Sequence, residues 1–119
     1  MIAVDTSALM AVVLNEASAE RIGAALENAE QISISATTVA ECLIVAAMRN
    51  VGPEMQRLID ELGFEVAPVT PPFAQRVARA YGRWGKGVHP AGLNFGDCFA
   101  YALAEERACP LLYVGDDFS

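Results

Sequence analysis

Basic residues are scarce in this chain: eight Lys and Arg stand against fifteen Asp and Glu in 119 residues, for a formal charge of −7. That balance excludes unselective adhesion to nucleic acid, because counterion release rewards basic surfaces. Histidine is reduced to one residue, His89, and cysteine to three, Cys42, Cys98 and Cys109, with no Cys-x-x-Cys spacing. A zinc site of the His/Cys type is thereby excluded, and reduced, buried thiols are expected. The longest apolar runs, Ala8 to Leu14 and Cys42 to Met48, suit core helices and fall short of the roughly 18 residues that a membrane-spanning helix needs. The start of the chain has neither a basic region nor a small-residue cleavage site, so no secretory leader is expected and the cytoplasm is the expected compartment. Repeats, linkers and low-complexity tracts are also missing. With 54% hydrophobic residues, residues 1–119 are expected to form one domain around a single core.

One further absence is local. Between Glu65 and Asp97 no acidic residue occurs, yet Arg76, Arg79, Arg83 and Lys86 all fall there, half of the cations of the chain. Arg76, Arg79 and Arg83 are spaced to share one stripe of a helix, with Tyr81, Trp84 and Lys86 close by. A basic face with aromatics can follow a phosphate backbone and stack bases; the plainer reading is a solvated charged face.

What is present alternates between strand and helix. Ile2 to Val4 reads as a strand, followed by Thr6 or Ser7 as an N-cap and a helix through Ala8 to Leu14. A helix near Ala17 to Asn28 precedes a short strand at Gln31 to Ile34. Ser35 caps a long apolar helix reaching about Arg49. Met55, Leu58, Ile59 and Leu62 mark an amphipathic helix from Pro53 to Leu62, closed by Gly63. Phe64 to Ala67 is the next strand. A helix ending near Trp84, a loop from Gly85 to Leu93, a helix from Phe95 to about Arg107 and a strand at Leu111 to Val114 complete the chain. This pattern predicts an α/β fold with a parallel sheet and helices on both faces.

In that fold, sites form outside the carboxyl ends of the strands. Acidic residues stand there in apolar surroundings that give little reason for them. Asp5 ends the run Ile2-Ala3-Val4, Glu41 interrupts Val39-Ala40 and Cys42-Leu43-Ile44-Val45, Asp97 precedes Cys98 to Leu103, and Asp116-Asp117 follow the last strand. A buried carboxylate is costly unless it is hydrogen-bonded, paired or bound to a metal. Hard cations such as Mg2+ and Mn2+ prefer carboxylate oxygens, and clustered carboxylates holding them can activate water against a phosphodiester. Each acid also has a structural reading: a cap at Asp5-Thr6-Ser7, a first-turn acid at Asp97, a plain turn at Asp116-Asp117. Glu41 is hardest to explain that way.

In these segments the chain resembles PIN-domain ribonucleases, in particular VapC-type toxins of type II toxin–antitoxin pairs. The resemblance rests on Met-Ile-Ala-Val-Asp5-Thr6-Ser7-Ala8, Ser35 to Glu41, Leu93-Asn94-Phe95-Gly96-Asp97 through Ala102, and Leu111 through Gly115-Asp116-Asp117-Phe118-Ser119. It implies a three-layer α/β/α fold with a central parallel sheet of four to five strands. It also implies Mg2+- or Mn2+-dependent endoribonuclease activity, a homodimer and a small cognate antitoxin. By position, Asp5, Glu41 and Asp97 match the regular acidic residues of the family, with Asp117 as the fourth and Asp116 as an auxiliary. Thr6, Ser7 and Asn94 match polar residues around the metal. Chains of the family usually run on past the final motif.

The expected reaction is hydrolysis of RNA, a transfer RNA or ribosomal loop among the candidates, by metal-activated water, with Arg76, Arg79, Arg83 and Lys86 steering the substrate. An antitoxin arginine would pair with Asp97 or Glu41. Apolar residues near Met10, Val13 and Met55 are expected to form the antitoxin groove or the dimer face. Two other readings remain at this point: a phosphatase of the haloacid dehalogenase type, which lacks its Asp-x-Asp opening here, and a non-catalytic partner-binding module.

Overall fold

Alternation along three residues decides how the layers meet. In β1 (Ile2–Val4), Ala3 packs into one core cluster, while Ile2 and Val4 pack into another on the opposite face of the sheet. The elements then run α1 (Thr6–Val13), α2 (Ala19–Asn28), β2 (Ile32–Ser35), α3 (Ala36–Met48), α4 (Gly52–Leu62), β3 (Glu65–Ala67), α5 (Pro71–Trp84), α6 (Phe95–Arg107) and β4 (Leu111–Leu112). The computed structural model describes residues 1–116 and Phe118. Its four strands are all parallel, in the order β3-β2-β1-β4. The Ala3 face is covered by Phe73, Val77 and Ala80 of α5 and by Phe99, Ala102 and Leu103 of α6. The other is covered by Leu9, Ile22, Cys42, Ala46 and Met55, drawn from α1, α2, α3 and α4. The three-layer arrangement expected from the sequence is the one observed.

Strand order places the site. β2 and β3 extend the sheet to one side of β1 and β4 lies on its other side, so the order reverses between β1 and β4. A crevice forms at such a switch point, outside the carboxyl ends of the strands.

Several ends differ from expectation for local reasons. α1 begins at Thr6 because Asp5 is itself the N-cap, its side chain accepting from the Ser7 N–H; neither Thr6 nor Ser7 caps the helix. β4 stops at Leu112 and does not reach Val114, whose N–H goes instead to Ser7 Oγ at 3.0 Å. Ser35 caps α3 as expected, and α4 closes at Gly63 with φ 61°. Met10 and Met55 are buried in the core, and Val13 is partly buried against it. They form no exposed apolar face; the exposed apolar side chains are elsewhere, with Ile44 and Met48 of α3 at 60% and 77% exposure.

The amino-terminal edge of the sheet is tied by charge. At the start of β3, Glu65 accepts from Ser33 Oγ at 2.9 Å and from Arg107, which also pairs with Glu106 at 3.6 Å. The hydrogen bond from Arg107, then that from Ser33, hold the Glu65 carboxyl below its ordinary value of 4.5. A carboxyl depressed in the folded state stabilises fully above its unfolded value, and that contribution disappears as pH falls through the folded value. The melting temperature should therefore drop on acidification below pH 4.5, and Glu65→Gln should flatten that limb. Parallel melting curves of the two proteins between neutral pH and pH 3 check this, and identical acid limbs would refute it.

Candidate functional site

At the exit of β1 the chain turns into α1 through Asp5, which is only 5% exposed. Its Oδ2 accepts the Ser7 N–H at 3.0 Å and the Ser7 hydroxyl at 2.6 Å. Having donated its proton to Asp5, Ser7 Oγ accepts from the Val114 N–H at 3.0 Å. One hydroxyl thus joins the exit of β1 to the exit of β4.

Asp97 lies in the first turn of α6 and is 8% exposed. It forms a reciprocal cap with Asn94: its N–H donates to Asn94 Oδ1 at 2.8 Å, and its Oδ2 accepts from the Asn94 N–H at 3.0 Å. The amino end of the helix favours negative charge there. Capping and ion binding are compatible uses of one carboxylate, so the plain reading of Asp97 holds without displacing the functional one.

Glu41 is half-buried on α3, where the Thr6 hydroxyl donates to its Oε1. Its other contact is with backbone: a Cβ added at Gly96 would meet Glu41 Oε2 at 2.3 Å and Cδ at 2.9 Å. Gly96 was not singled out in the sequence, although a poor helix former in the first turn of a helix, beside an acid, is a readable signal.

These contacts join Asp5 to Glu41 through Thr6, and Glu41 to Asp97 through Gly96, while Ser7 brings in the segment that carries Asp116. Asp116 is exposed; Asp117 lies outside the described residues. As the side chains stand, no three His, Cys, Asp or Glu among the described residues converge on one metal-sized point. The donor chemistry nevertheless fits a hard cation: the groups that meet here are carboxylates and hydroxyls. The neighbouring thiols do not compete. Burial pushes Cys42 up to about 12 and the charges of Glu41 and Asp5 add to that, outweighing the Thr6 hydrogen bond; burial and Asp97 push Cys98 up to about 11. Both are free, protonated packing groups.

The basic stripe divides. Arg76 pairs with Glu105 at 3.0 Å and Glu106 at 4.0 Å, so its acid-free neighbourhood is a property of the sequence and not of the folded surface. Arg79, Arg83 and Lys86 are exposed and have no acidic partner within ion-pair distance among the described residues.

Comparison with known proteins agrees with this geometry. The PIN domain family matches residues 2–119. Ribonuclease VapC36 of Mycobacterium tuberculosis is 48% identical over 120 residues, covering 97% of this chain and 86% of its own. Ribonuclease VapC28 of the same organism is 44% identical over 119 residues, covering 97% and 90%. Among solved structures, the Mycobacterium tuberculosis toxin VapC20, described as cleaving the sarcin-ricin loop, superposes with a TM-score of 0.80 at 15% identity over 99% of this chain and 92% of its own. That likeness is one of fold. Taken with the acids gathered at the β1–β4 switch point, these matches show that the chain belongs to the PIN domain family, alongside its VapC ribonucleases.

Proposed function

We propose that this chain is a divalent-metal-dependent endoribonuclease, the toxin of a toxin–antitoxin pair, acting in the cytoplasm. The observation that carries the reading is the linked set Asp5–Thr6–Glu41–Gly96–Asp97, three acids from three distant segments held at one sheet edge. The names of its relatives as ribonucleases support it. Asp5 and Asp97 would hold Mg2+ or Mn2+, with Glu41 and the Asp116-Asp117 pair completing the acidic pocket. A cation bound there supplies Lewis-acid activation of water and offsets charge that builds on the phosphodiester. Ser7 holds the rotamer of Asp5, Asn94 that of Asp97, and Thr6 that of Glu41, so modest side-chain turns would bring the three carboxylates to one cation. Transfer RNA and ribosomal RNA are the substrates to test first. Nothing in the geometry favours the phosphatase reading, since Lys86 lies in a loop after α5 and not behind a strand.

The same reading includes a homodimer and an antitoxin. Ile44 and Met48 of α3 and Phe95 of α6, the last 69% exposed, give the chain apolar surface suited to self-association. The acidic pocket suits an arginine from the antitoxin, which would compete with the cation by charge.

Purified protein freed of partner should cut total RNA with Mg2+ or Mn2+ and not with EDTA. Asp97→Asn should lose at least about two orders of magnitude of rate while keeping its fold; full activity in that variant would sink the assignment. Gly96→Ala separates site from scaffold. The added methyl meets the far end of a flexible side chain and improves helix propensity by up to about 1 kcal/mol, so thermal stability should hold or rise. Displacing Glu41 should still lower activity roughly 10- to 100-fold. If instead activity survives while stability falls, Glu41 is a packing residue. For the dimer, Met48→Glu should shift sedimentation toward the monomer mass, and an unchanged sedimentation coefficient would place the interface elsewhere.

A further inference from the structure

On α5 the core stripe Phe73–Val77–Ala80 has two flanks. Ala74, Ala78 and Tyr81 line one, facing an apolar groove of about 400 Å³ shared with Phe95 and Phe99. At about 100° per residue, Arg76, Arg79 and Arg83 fall on the other. Arg76 is spent on Glu105 and Glu106, near the far end of α6 from Asp97. Arg79 and Arg83 lie nearer the carboxyl end of α5, where the loop Gly85 to Leu93 begins.

That loop is built, not merely connected. Gly85 and Leu93 form an isolated parallel bridge, with Leu93 N–H donating to the Trp84 carbonyl at 2.9 Å and Lys86 N–H to the Leu93 carbonyl at 2.8 Å. Inside it, the Val88 and His89 N–H groups donate to the Gly85 carbonyl, and the Ala91 N–H donates to His89 Nδ1 at 2.9 Å. Gly85 is obligatory, since a Cβ there would meet the Tyr81 carbonyl oxygen at 2.4 Å. His89 then packs edge-on with Trp84 at 4.7 Å between ring centroids, and the Arg83 guanidinium lies 5.4 Å from the indole centroid. Stacking of that kind orients an arginine while leaving its N–H fork for a ligand. The Trp84 indole N–H is buried with no hydrogen-bond partner among the described residues, an unfilled donor beside these cations.

The loop is also coupled to the acids. Leu93, clamped to Trp84 and Lys86, is followed by Asn94, whose N–H donates to Asp97 Oδ2. From Leu93 to Asp97 the chain spans at most about 14 Å. On a molecule of charge −7, an anionic polymer approaching clustered carboxylates needs cations that no acid among the described residues neutralises. Arg79, Arg83 and Lys86 are such cations. We infer that Arg79, Arg83 and Lys86, held by the Trp84–His89 contact and the bridged loop 85–93, form a docking platform for the phosphate backbone of single-stranded RNA next to Asp97. This rests on the nuclease reading only for why an RNA should be brought to that edge.

The platform contains the only tryptophan of the chain, which supplies a readout independent of cleavage. A single-stranded RNA oligonucleotide titrated into metal-free Asp97→Asn protein should change the Trp84 emission on binding. Adding Arg83→Ala and Lys86→Ala should weaken binding roughly tenfold and lower the slope of log K against log salt by about 1.4. Arg76→Ala, removing a cation already paired, should leave both nearly unchanged. These residues are on the surface, and circular dichroism together with the charge-preserving pair Arg83→Lys and Lys86→Arg, which should keep the salt slope, guards against a folding artefact. Equal affinity and slope in the double alanine variant overturn the platform, even if the wild-type chain cuts RNA. Polyglutamate matching the RNA at equal charge concentration also overturns it, pointing to an acidic polypeptide as the occupant. Binding that depends on Arg83 and Lys86 in a chain that cuts no RNA would uphold the platform and defeat the nuclease reading.

Discussion

The Glu41 carboxylate lies against the Gly96 backbone, where an added Cβ would displace it, and the same carboxylate accepts from Thr6. Three helices therefore meet at one charged group: α3 carries it, α1 supplies its donor and α6 presents a bare turn to it. Because Gly96 adjoins Asp97 and Thr6 adjoins Asp5, fixing Glu41 also fixes how close the other two acids can stand. Each acid is held by its own donor: Ser7 for Asp5, Asn94 for Asp97, Thr6 for Glu41. Each acid thus has its rotamer held by the fold, with no contribution from a bound ion.

Local physics explains which parts of this were legible in the sequence. Strand and helix order followed from apolar period and from caps at Ser35 and Gly63, which depend on neighbouring residues. The acids at Asp5, Glu41 and Asp97 stood out because their apolar neighbours made them expensive. What escaped notice depends on residues far apart in sequence. The role of Gly96 appears only when α3 is laid against α6. The neutralisation of Arg76 needs Glu105 and Glu106 from the next helix. Met55 is a different case: it shares the stripe of Leu58, Ile59 and Leu62, and that periodicity already implied a core position, where the fold puts it. The family resemblance brought in Asp117, which lies outside the described residues, so the fourth acid rests on sequence alone.

Charge is distributed with little waste. At the amino-terminal edge of the sheet, Arg107 joins Glu65 and Glu106, tying the last turn of α6 to β3. Arg76 ties α5 to that same acidic turn. Both contacts lie toward the end of α6 remote from Asp97, so the acidic edge acquires no internal neutralisation from them. Arg83, stacked on Trp84, and its neighbours Arg79 and Lys86 have no acidic partner within ion-pair distance among the described residues. Acids and cations can stand near one another without pairing because the bridged loop 85–93 keeps them on separate pieces of backbone.

The shortness of β4 follows from the same priorities. In the parallel ladder, the Ala3 N–H reaches the Pro110 carbonyl and the Asp5 N–H reaches that of Leu112, both at 3.0 Å. The next rung would run from the Val114 N–H to the Asp5 carbonyl. That carbonyl instead points along α1, accepting the Ala8 N–H at 3.1 Å as the first turn begins. Val114 turns instead to the Ser7 hydroxyl, whose proton is committed to Asp5. The strand ends early because the chain at Asp5 becomes the cap of α1 rather than continuing as sheet. The donor released in this way holds the hydroxyl that orients Asp5. A local rule of sheet pairing is broken at the place where the chemistry is gathered, and the compensating hydrogen bond delivers the segment bearing Asp116 to the side of the crevice where Asp5 stands.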